Sequence, residues 1–425
     1  MTFTAALDAV LRGRRAKMKL GICGTFDVRN FGDLLFPLIA QNELAKRLGP
    51  VELQRYAYHA RSTPAWTFDV TPLSRLERDM DTIDGMIVGG GHLIRFDKDV
   101  APNYLPPDPE IPHPTGYWLT PAVLAVQRGR PLAWNAPGVY GEVPAWAEGL
   151  MKLAFENSRY IAVRDEPSRA ALTRFAGGTE IAVVPDTAFG VAALVNSGGP
   201  LPDVERRHAT PKPRQPYIII QPGDGCIAAA RALSAARRKL KEFQIVSLPI
   251  GPDLGDDDFV LRDILPDALR FPDWPHPLTI IELIRDSSGI ICESLHATIT
   301  ALALGVPVFR SDGHSFAGKY APLRKFDSVF EIDFNAGAEV QRLFDRLGRT
   351  QPEAAVKSAA AELDLHWNKM AQALSERNNP RPVAVARFLQ SLPIALEASH
   401  VQSALLQAAA AQERASAQAA PHPAI

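Results

Sequence analysis

From residue 18 onward, short apolar runs alternate with longer segments in which apolar positions recur every three or four residues, the signature of strands and helices in turn. Residues 19–23 read as a strand, 33–48 as a helix stopped by Gly49 and Pro50, and 51–56 as the next strand, which makes a βαβ unit. Strand patterns follow at 85–88, 132–135, 160–163 and 181–184, with helical patterns at 118–127, 145–155 and 167–175. The stretch NSGGPLPDVERRHATPKPRQP at 196–216 loses all periodicity to Gly, Pro and charge, as an inter-domain linker does. A second alternation then predicts strands at 217–221, 243–248, 289–292 and 306–309 and helices at 227–241, 278–285 and 295–304.

Beyond Asn335 the pattern is helical, through Leu343, Ala359, Leu374 and Leu389. The predicted organisation is an N-terminal extension (1–18), a Rossmann-like domain (19–195), the linker, a second Rossmann-like domain (217–335), C-terminal helices (336–400) packed on the pair, and an Ala/Gln-rich tail (401–425). Met18 directly precedes the first strand, so the sequence leaves a start at Met1 or Met18 open. The fold class is α/β, two Rossmann-like domains facing a cleft, and ligands of open α/β sheets bind where strand carboxyl ends meet such a cleft.

Composition narrows the function. Apolar residues make up 46% and charged residues 22% of 425, and Lys plus Arg (46) nearly cancels Asp plus Glu (47), so no electrostatic grip on nucleic acid is expected. Cys23, Cys226 and Cys292 are too few and too scattered for a disulfide framework or a cysteine zinc site, which suits a reducing, cytoplasmic setting. No window resembles a membrane span, and the charges of the N-terminus follow its apolar part, the reverse of a secretory signal. Membrane contact is expected to be peripheral at most, through residues 12–19 or an amphipathic C-terminal helix, and the same helices leave homo-oligomerisation open. No metal motif or cofactor motif occurs.

Several strand ends carry candidate chemistry. Gly24 to Asp33 forms the first strand-to-helix loop, with Asp33 placed as the helix cap. Gly89, Gly90 and Gly91 end the 85–88 strand, where a ligand pressed on the backbone explains three glycines better than a plain turn does, and Arg95 offers an anion fork nearby. Arg164 and Asp165 end the 160–163 strand, an arrangement that either binds an anion bidentately or forms a local ion pair. Asp186 reads as a cap. Ser294 caps the helix whose first turn holds His296, where the helix dipole disfavours the charged imidazole and leaves it able to accept a proton. His92, His113, His276 and His314 lack that context, and Asp256 to Asp258 read as a solvated turn.

Taken in order, Asn30-Phe-Gly32-Asp33, Gly89-Gly90-Gly91, Val163-Arg164-Asp165 with Ser168, Pro185-Asp186 with Ala188-Phe189, and Ser294-Leu-His296 with Gly305-Val-Pro307 resemble the polysaccharide pyruvyl transferase family. The resemblance implies a fold like the GT-B glycosyltransferases and transfer of the enolpyruvyl group of phosphoenolpyruvate to a saccharide, as a pyruvyl ketal of a surface polysaccharide. It implies no cofactor. Donor binding falls to Arg164, the 89–91 turn and the 295 helix end, with His296 moving a proton or holding the phosphate. Characterised members carry an arginine two residues before the histidine; this chain has Ser294, which leaves that part of the donor to Arg310, Lys319 or Arg324. The residues by themselves also admit a GT-B glycosyltransferase using a nucleotide sugar, or a non-catalytic sugar-binding or assembly protein of the same fold.

Overall fold

A computed structural model describes residues 17–97, 111, 113–196, 211–236, 238–311, 316, 318–348, 353–376, 401, 405–408 and 412. Residues 1–16 of the N-terminal extension, most of the linker, His314, residues 377–400 of the expected C-terminal helices with Leu389, and nearly all of the Ala/Gln-rich tail lie outside the described residues, while Met18 already belongs to the first strand.

The first domain is built on strands β1 (Met18–Cys23), β2 (Val51–Ala57), β3 (Thr71–Pro72), β4 (Gly85–Val88), β6 (Leu132–Trp134), β8 (Tyr160–Val163) and β9 (Ile181–Val183), while β5 (Ile94–Arg95) and β7 (Val139–Tyr140) form a separate pair. Their order is β3-β2-β1-β4-β6-β8-β9 and every pairing is parallel. Near-continuous apolar strands such as Tyr-Ile-Ala-Val at β8 are buried on both faces, as a helix-covered parallel sheet requires. The chain runs outward from β1 to β3 and then restarts on the other side of β1 at β4. The loops after β1 and β4 therefore diverge and leave a crevice, the topological switch point.

The second domain repeats the device. Strands β10 (Tyr217–Ile220), β11 (Gln244–Ser247), β12 (Gly289–Ile291), β13 (Val308–Ser311) and β14 (Val329–Ile332) lie in the order β11-β10-β12-β13-β14, all parallel, with the switch between β10 and β12. Strand β14 escaped the sequence pattern because its run alternates with a charge and is followed at once by Asp333. The strand expected at 306–309 begins two residues later: Gly305 at φ +70° and Val306, whose N–H reaches Ala301 O at 2.8 Å, complete the end of the preceding helix instead.

One apolar core runs through both domains, with Phe36 and Ile39 of the Phe31–Leu48 helix in the same cluster as Leu295 and Ile299 of the Leu295–Ala303 helix. Polar contacts also join the domains: the Phe31 N–H donates to Ile250 O (2.9 Å) in the interior, and at the surface the Arg29 backbone N–H and guanidinium both donate to the Asp253 carboxylate (2.7 Å). After the Gly337–Arg346 helix of the second domain, the Ala354–Leu374 helix returns to the first, where Trp367, Met370 and Leu374 are buried and Leu374 would meet a side chain at Gly85. The helices expected beyond 335 thus divide between the domains. On the long helix His366 is sealed between Tyr160 Oη (3.0 Å) and Asn135 Oδ1 (3.1 Å), and burial pushes it down to about 3, so it stays neutral.

Beneath the loop after β1, Asp27 is buried and accepts from the His59 N–H (2.9 Å) and the Tyr117 hydroxyl (3.2 Å). Burial outweighs these bonds and lifts its carboxyl to about 6. The folded state therefore binds this proton more tightly than the unfolded chain, and the Asp27 contribution to stability falls as pH rises from about 4 to about 6. Urea unfolding at the two ends of that window should show the stability of wild type relative to Asp27→Asn to be lower at the higher pH; an equal difference at both would refute the assignment.

Candidate functional site

The two switch points face each other across a cleft of about 550 Å³. The first domain contributes Thr25, Asn30 and Asp33 from the loop after β1, Gly90, His92 and Arg95 from the loop after β4, and Arg164 from the end of β8; the second contributes Glu293, Ser294, His296 and Lys319.

At the first helix the cap is Asn30, whose Oδ1 accepts the Gly32 N–H at 3.2 Å, and not Asp33 as expected from sequence. Asp33 sits in the first turn, where its Oδ2 accepts from Thr25 (2.7 Å) and from Asn30 Nδ2 (3.0 Å). Burial raises its carboxyl against the pull of His296, of these two bonds and of Lys319. It is an acid held beside two cationic or proton-bearing groups, with Oδ1 left to the cleft.

The three glycines have packing reasons. A side chain at Gly89 would lie 2.7 Å from Cys23 O, one at Gly90 would enter the Phe36 ring at 2.7 Å, and Gly91 has φ +80°. This corrects the ligand-contact reading for Gly89 and Gly91; Gly90 alone of the three lines the cleft. The turn still serves the site, since Gly91 O accepts the Gly138 N–H (2.7 Å), and the Arg164 guanidinium lies on Gly138, where a Cβ would come within 2.5 Å of Nε. Arg164 is buried and lies 3.4 Å from Asp165, whose other oxygen caps the next helix through the Ser168 N–H (2.8 Å). The local ion pair read from the sequence is present, and the guanidinium it orients also lines the cleft. Arg95 lines the cleft too, with its fork engaged by Asp97 (2.9 Å) and its face on Tyr140 (4.5 Å).

From the second domain, Ser294 caps its helix by accepting the Ala297 N–H (3.3 Å), and His296 crosses to the first domain. The imidazole lies over Gly32 and edge-on to Phe36, with Nε2 3.6 Å from Asp186 Oδ2. Those two atoms are sealed from solvent, and neither has a hydrogen-bond partner among the described residues, so each faces the other as an ion-pair contact alone. Asp186 is the cap the sequence suggested, its Oδ1 accepting the Ala188 N–H (3.0 Å), but its second oxygen serves His296. Burial would raise its carboxyl, yet His296, Arg164 and the Ala188 N–H outweigh burial and hold it below the usual value. Position alone could have flagged it, since Pro185-Asp186 ends β9 just as Arg164-Asp165 ends β8.

Of the cations proposed to replace the missing arginine, Lys319 is exposed and lines the cleft beside Tyr320. Arg310 and Arg324 do not line it, which corrects that expectation. Arg310 is buried with Nη1 donating to Glu293 O (3.0 Å) and Thr298 (3.1 Å), and Arg324 lies over the Phe316 ring. Asp256 is no solvated turn residue: half-buried, it accepts from the N–H groups of Ile250 (2.7 Å) and Gly251 (2.9 Å) and from Gln221 Nε2 (2.8 Å). Gln221 Oε1 in turn accepts the N–H groups of Glu293 and Ser294 (both 3.0 Å), bracing the loop that presents His296. His92, dismissed on sequence, also faces the cleft. Among the described residues no group of three or more His, Cys, Asp or Glu could hold a metal ion, and no helix is long and apolar enough to cross a membrane.

The family model for polysaccharide pyruvyl transferase matches residues 30–313, a span that holds every element of this site except part of the loop before Asn30 and the Lys319 segment. No curated protein matches the chain significantly. Similar solved structures include UDP-GlcNAc 2-epimerase from Neisseria meningitidis bound to UDP-GlcNAc (14% identity, 88% of this chain and 99% of that one, TM-score 0.46). The UDP-GlcNAc 2-epimerase of Methanocaldococcus jannaschii (12%, 82% and 99%, 0.47) and a glycosyltransferase from Rickettsia africae (11%, 90% and 98%, 0.44) are others.

Proposed function

The chain belongs to the polysaccharide pyruvyl transferase family, and from that premise we propose that it moves the enolpyruvyl group of phosphoenolpyruvate onto two hydroxyls of a saccharide, forming a pyruvyl ketal of a surface polysaccharide or its precursor in the cytoplasm. The observation that carries this reading is the Asp186–His296 pair, closed across the domain boundary in a cleft that also holds Arg164 and Lys319.

The donor presents a carboxylate and a phosphate on one small molecule. Arg164 offers a planar fork and Lys319 a mobile point charge, which together neutralise those anions with residues of the chain itself. Ketal formation then needs three proton movements. The first saccharide hydroxyl adds to C2 while its proton passes to a base and C3 gains a proton, turning the methylene into a methyl group. The C2–O bond to phosphate breaks, the second hydroxyl closes the ketal, and its proton leaves with the phosphate. With Nε2 directed to Asp186, His296 has Nδ1 left for C3, and the pair keeps the protonated ring from being an unpaired buried charge. Asp33, raised by burial and with Oδ1 unengaged, is placed to accept the hydroxyl proton.

The test is phosphate release from phosphoenolpyruvate over a panel of saccharide acceptors, with calorimetry against phosphoenolpyruvate and nucleotide sugars alongside. Sustained acceptor-dependent release supports the reading; tight binding of a nucleotide sugar without phosphoenolpyruvate binding would replace it with glycosyl transfer, and binding of saccharide alone with a non-catalytic role. Within the reading, Arg164→Lys should raise the KM for phosphoenolpyruvate about tenfold, because a point charge cannot reproduce the fork. An unchanged KM would take the donor anion away from Arg164.

A further inference from the structure

We propose that His92 Nδ1 accepts a hydrogen bond from a hydroxyl of the saccharide, so that the first-domain side of the cleft beside Arg164 is the acceptor subsite; this rests on the pyruvyl-transfer reading above. His92 follows the glycine turn, is half-buried and lines the cleft with Gly90, Leu93 and Tyr117. Its Nε2 lies 3.2 Å from Val139 O, which can only accept, so Nε2 carries the proton and a neutral ring leaves Nδ1 bare. Among the described residues Nδ1 has no hydrogen-bond partner, and it is not sealed from solvent. Tyr140 meets the ring edge-on at 5.3 Å and is itself covered by Arg95, which fixes the orientation of the imidazole.

The ring also stays neutral: burial, and then the charge of Arg164, push His92 down to about 4. A bare lone pair repels phosphate and carboxylate oxygens but receives an O–H. Next to a guanidinium that draws the donor's anion, that lone pair therefore selects the one neutral, hydroxyl-bearing substrate of the pair. The hydroxyl it holds lies adjacent to the anchored donor, as transfer requires.

Side-chain geometry supplies a sharp test. An asparagine places Oδ1 where Nδ1 stands and keeps the acceptor, whereas a glutamine keeps a donor near Nε2 and loses it. Phosphoenolpyruvate binding is measured by calorimetry, and methyl β-D-galactopyranoside and methyl β-D-glucopyranoside, each with free O4 and O6 hydroxyls, are then titrated at saturating phosphoenolpyruvate. His92→Gln and His92→Phe should weaken glycoside binding about tenfold, the scale of one lost hydrogen bond, while His92→Asn stays near wild type and all three bind phosphoenolpyruvate as wild type does. Glycoside binding equal in all variants, a parallel loss of phosphoenolpyruvate affinity, or a wild type that binds phosphoenolpyruvate but neither glycoside overturns the proposal. A wild type that fails to bind phosphoenolpyruvate instead overturns the pyruvyl-transfer reading, and the acceptor subsite with it.

Discussion

His296→Ala should lower turnover about a hundredfold or more at saturating phosphoenolpyruvate, with a folded protein and a donor affinity close to wild type, the usual scale for removal of a general acid or base. Arg164 and Lys319 remain to hold the donor's anions, so binding survives, whereas the other imidazole of the cleft, His92, faces Val139 O rather than a buried carboxylate. Removing the ring also takes the ion-pair contact from Asp186 Oδ2, a sealed oxygen with no hydrogen-bond partner among the described residues. That carboxylate is held ionised by His296 first and Arg164 second, so the variant should lose some stability as well, read as a lower unfolding midpoint whose deficit shrinks as pH falls below about 4. Steady-state phosphate release separates the outcomes: a turnover near wild type ends the proton-transfer role, and a large rise in KM with unchanged turnover moves His296 to phosphate binding.

The sequence pattern carried the sheets because buried parallel strands are written as uninterrupted apolar runs. The runs at 85–88 and 160–163 matched β4 and β8 to the residue. It failed where apolar content was not the organising force. Strand β3 contains a proline at its end and only two residues, the β5–β7 pair forms at the cleft edge, and the pattern could not distinguish packing glycines from ligand-contact glycines at 89–91, since both reasons select the same residue. The site was legible in part for the same reason. His296, Arg164 and Asn30 stand at strand or helix ends that topology brings to one cleft, and position in the chain announces such places. Asp186, His92 and Gln221 act through contacts with segments distant in sequence: His296 is 3.6 Å from Asp186, and Gln221 Oε1 is 3.0 Å from the N–H of Ser294. No local pattern encodes those distances. Arg310 shows the converse, a cation well placed along the chain whose side chain turns into the second domain to hold Glu293 and Thr298.

Gly32→Ala should cost turnover on the scale of losing His296 itself, although the substitution adds only a methyl group and lies in the other domain. A Cβ at Gly32 would stand 1.8 Å from Nδ1 and 2.2 Å from Cγ of His296, far inside contact distance, so either the imidazole swings away or the Leu295–Ala303 helix backs off from the Phe31–Leu48 helix. Both responses draw Nε2 away from Asp186, already at 3.6 Å, and displace Nδ1 from the position the proposed transfer requires. A displacement of about 1 Å at a reacting group is worth about a hundredfold in rate. Local helix propensity works the other way, since alanine in a first turn favours the helix by up to about 1 kcal/mol, so the variant should remain folded while inactive. Gly337→Ala is the matched control: it opens the Gly337–Arg346 helix, a Cβ there meets nothing within 4 Å, and its turnover should equal wild type. Turnover and melting temperature measured on both variants decide the matter. A Gly32→Ala protein that melts normally and turns over normally would mean that the imidazole need not stand over Gly32, and the catalytic assignment of the Asp186–His296 pair would fall with it.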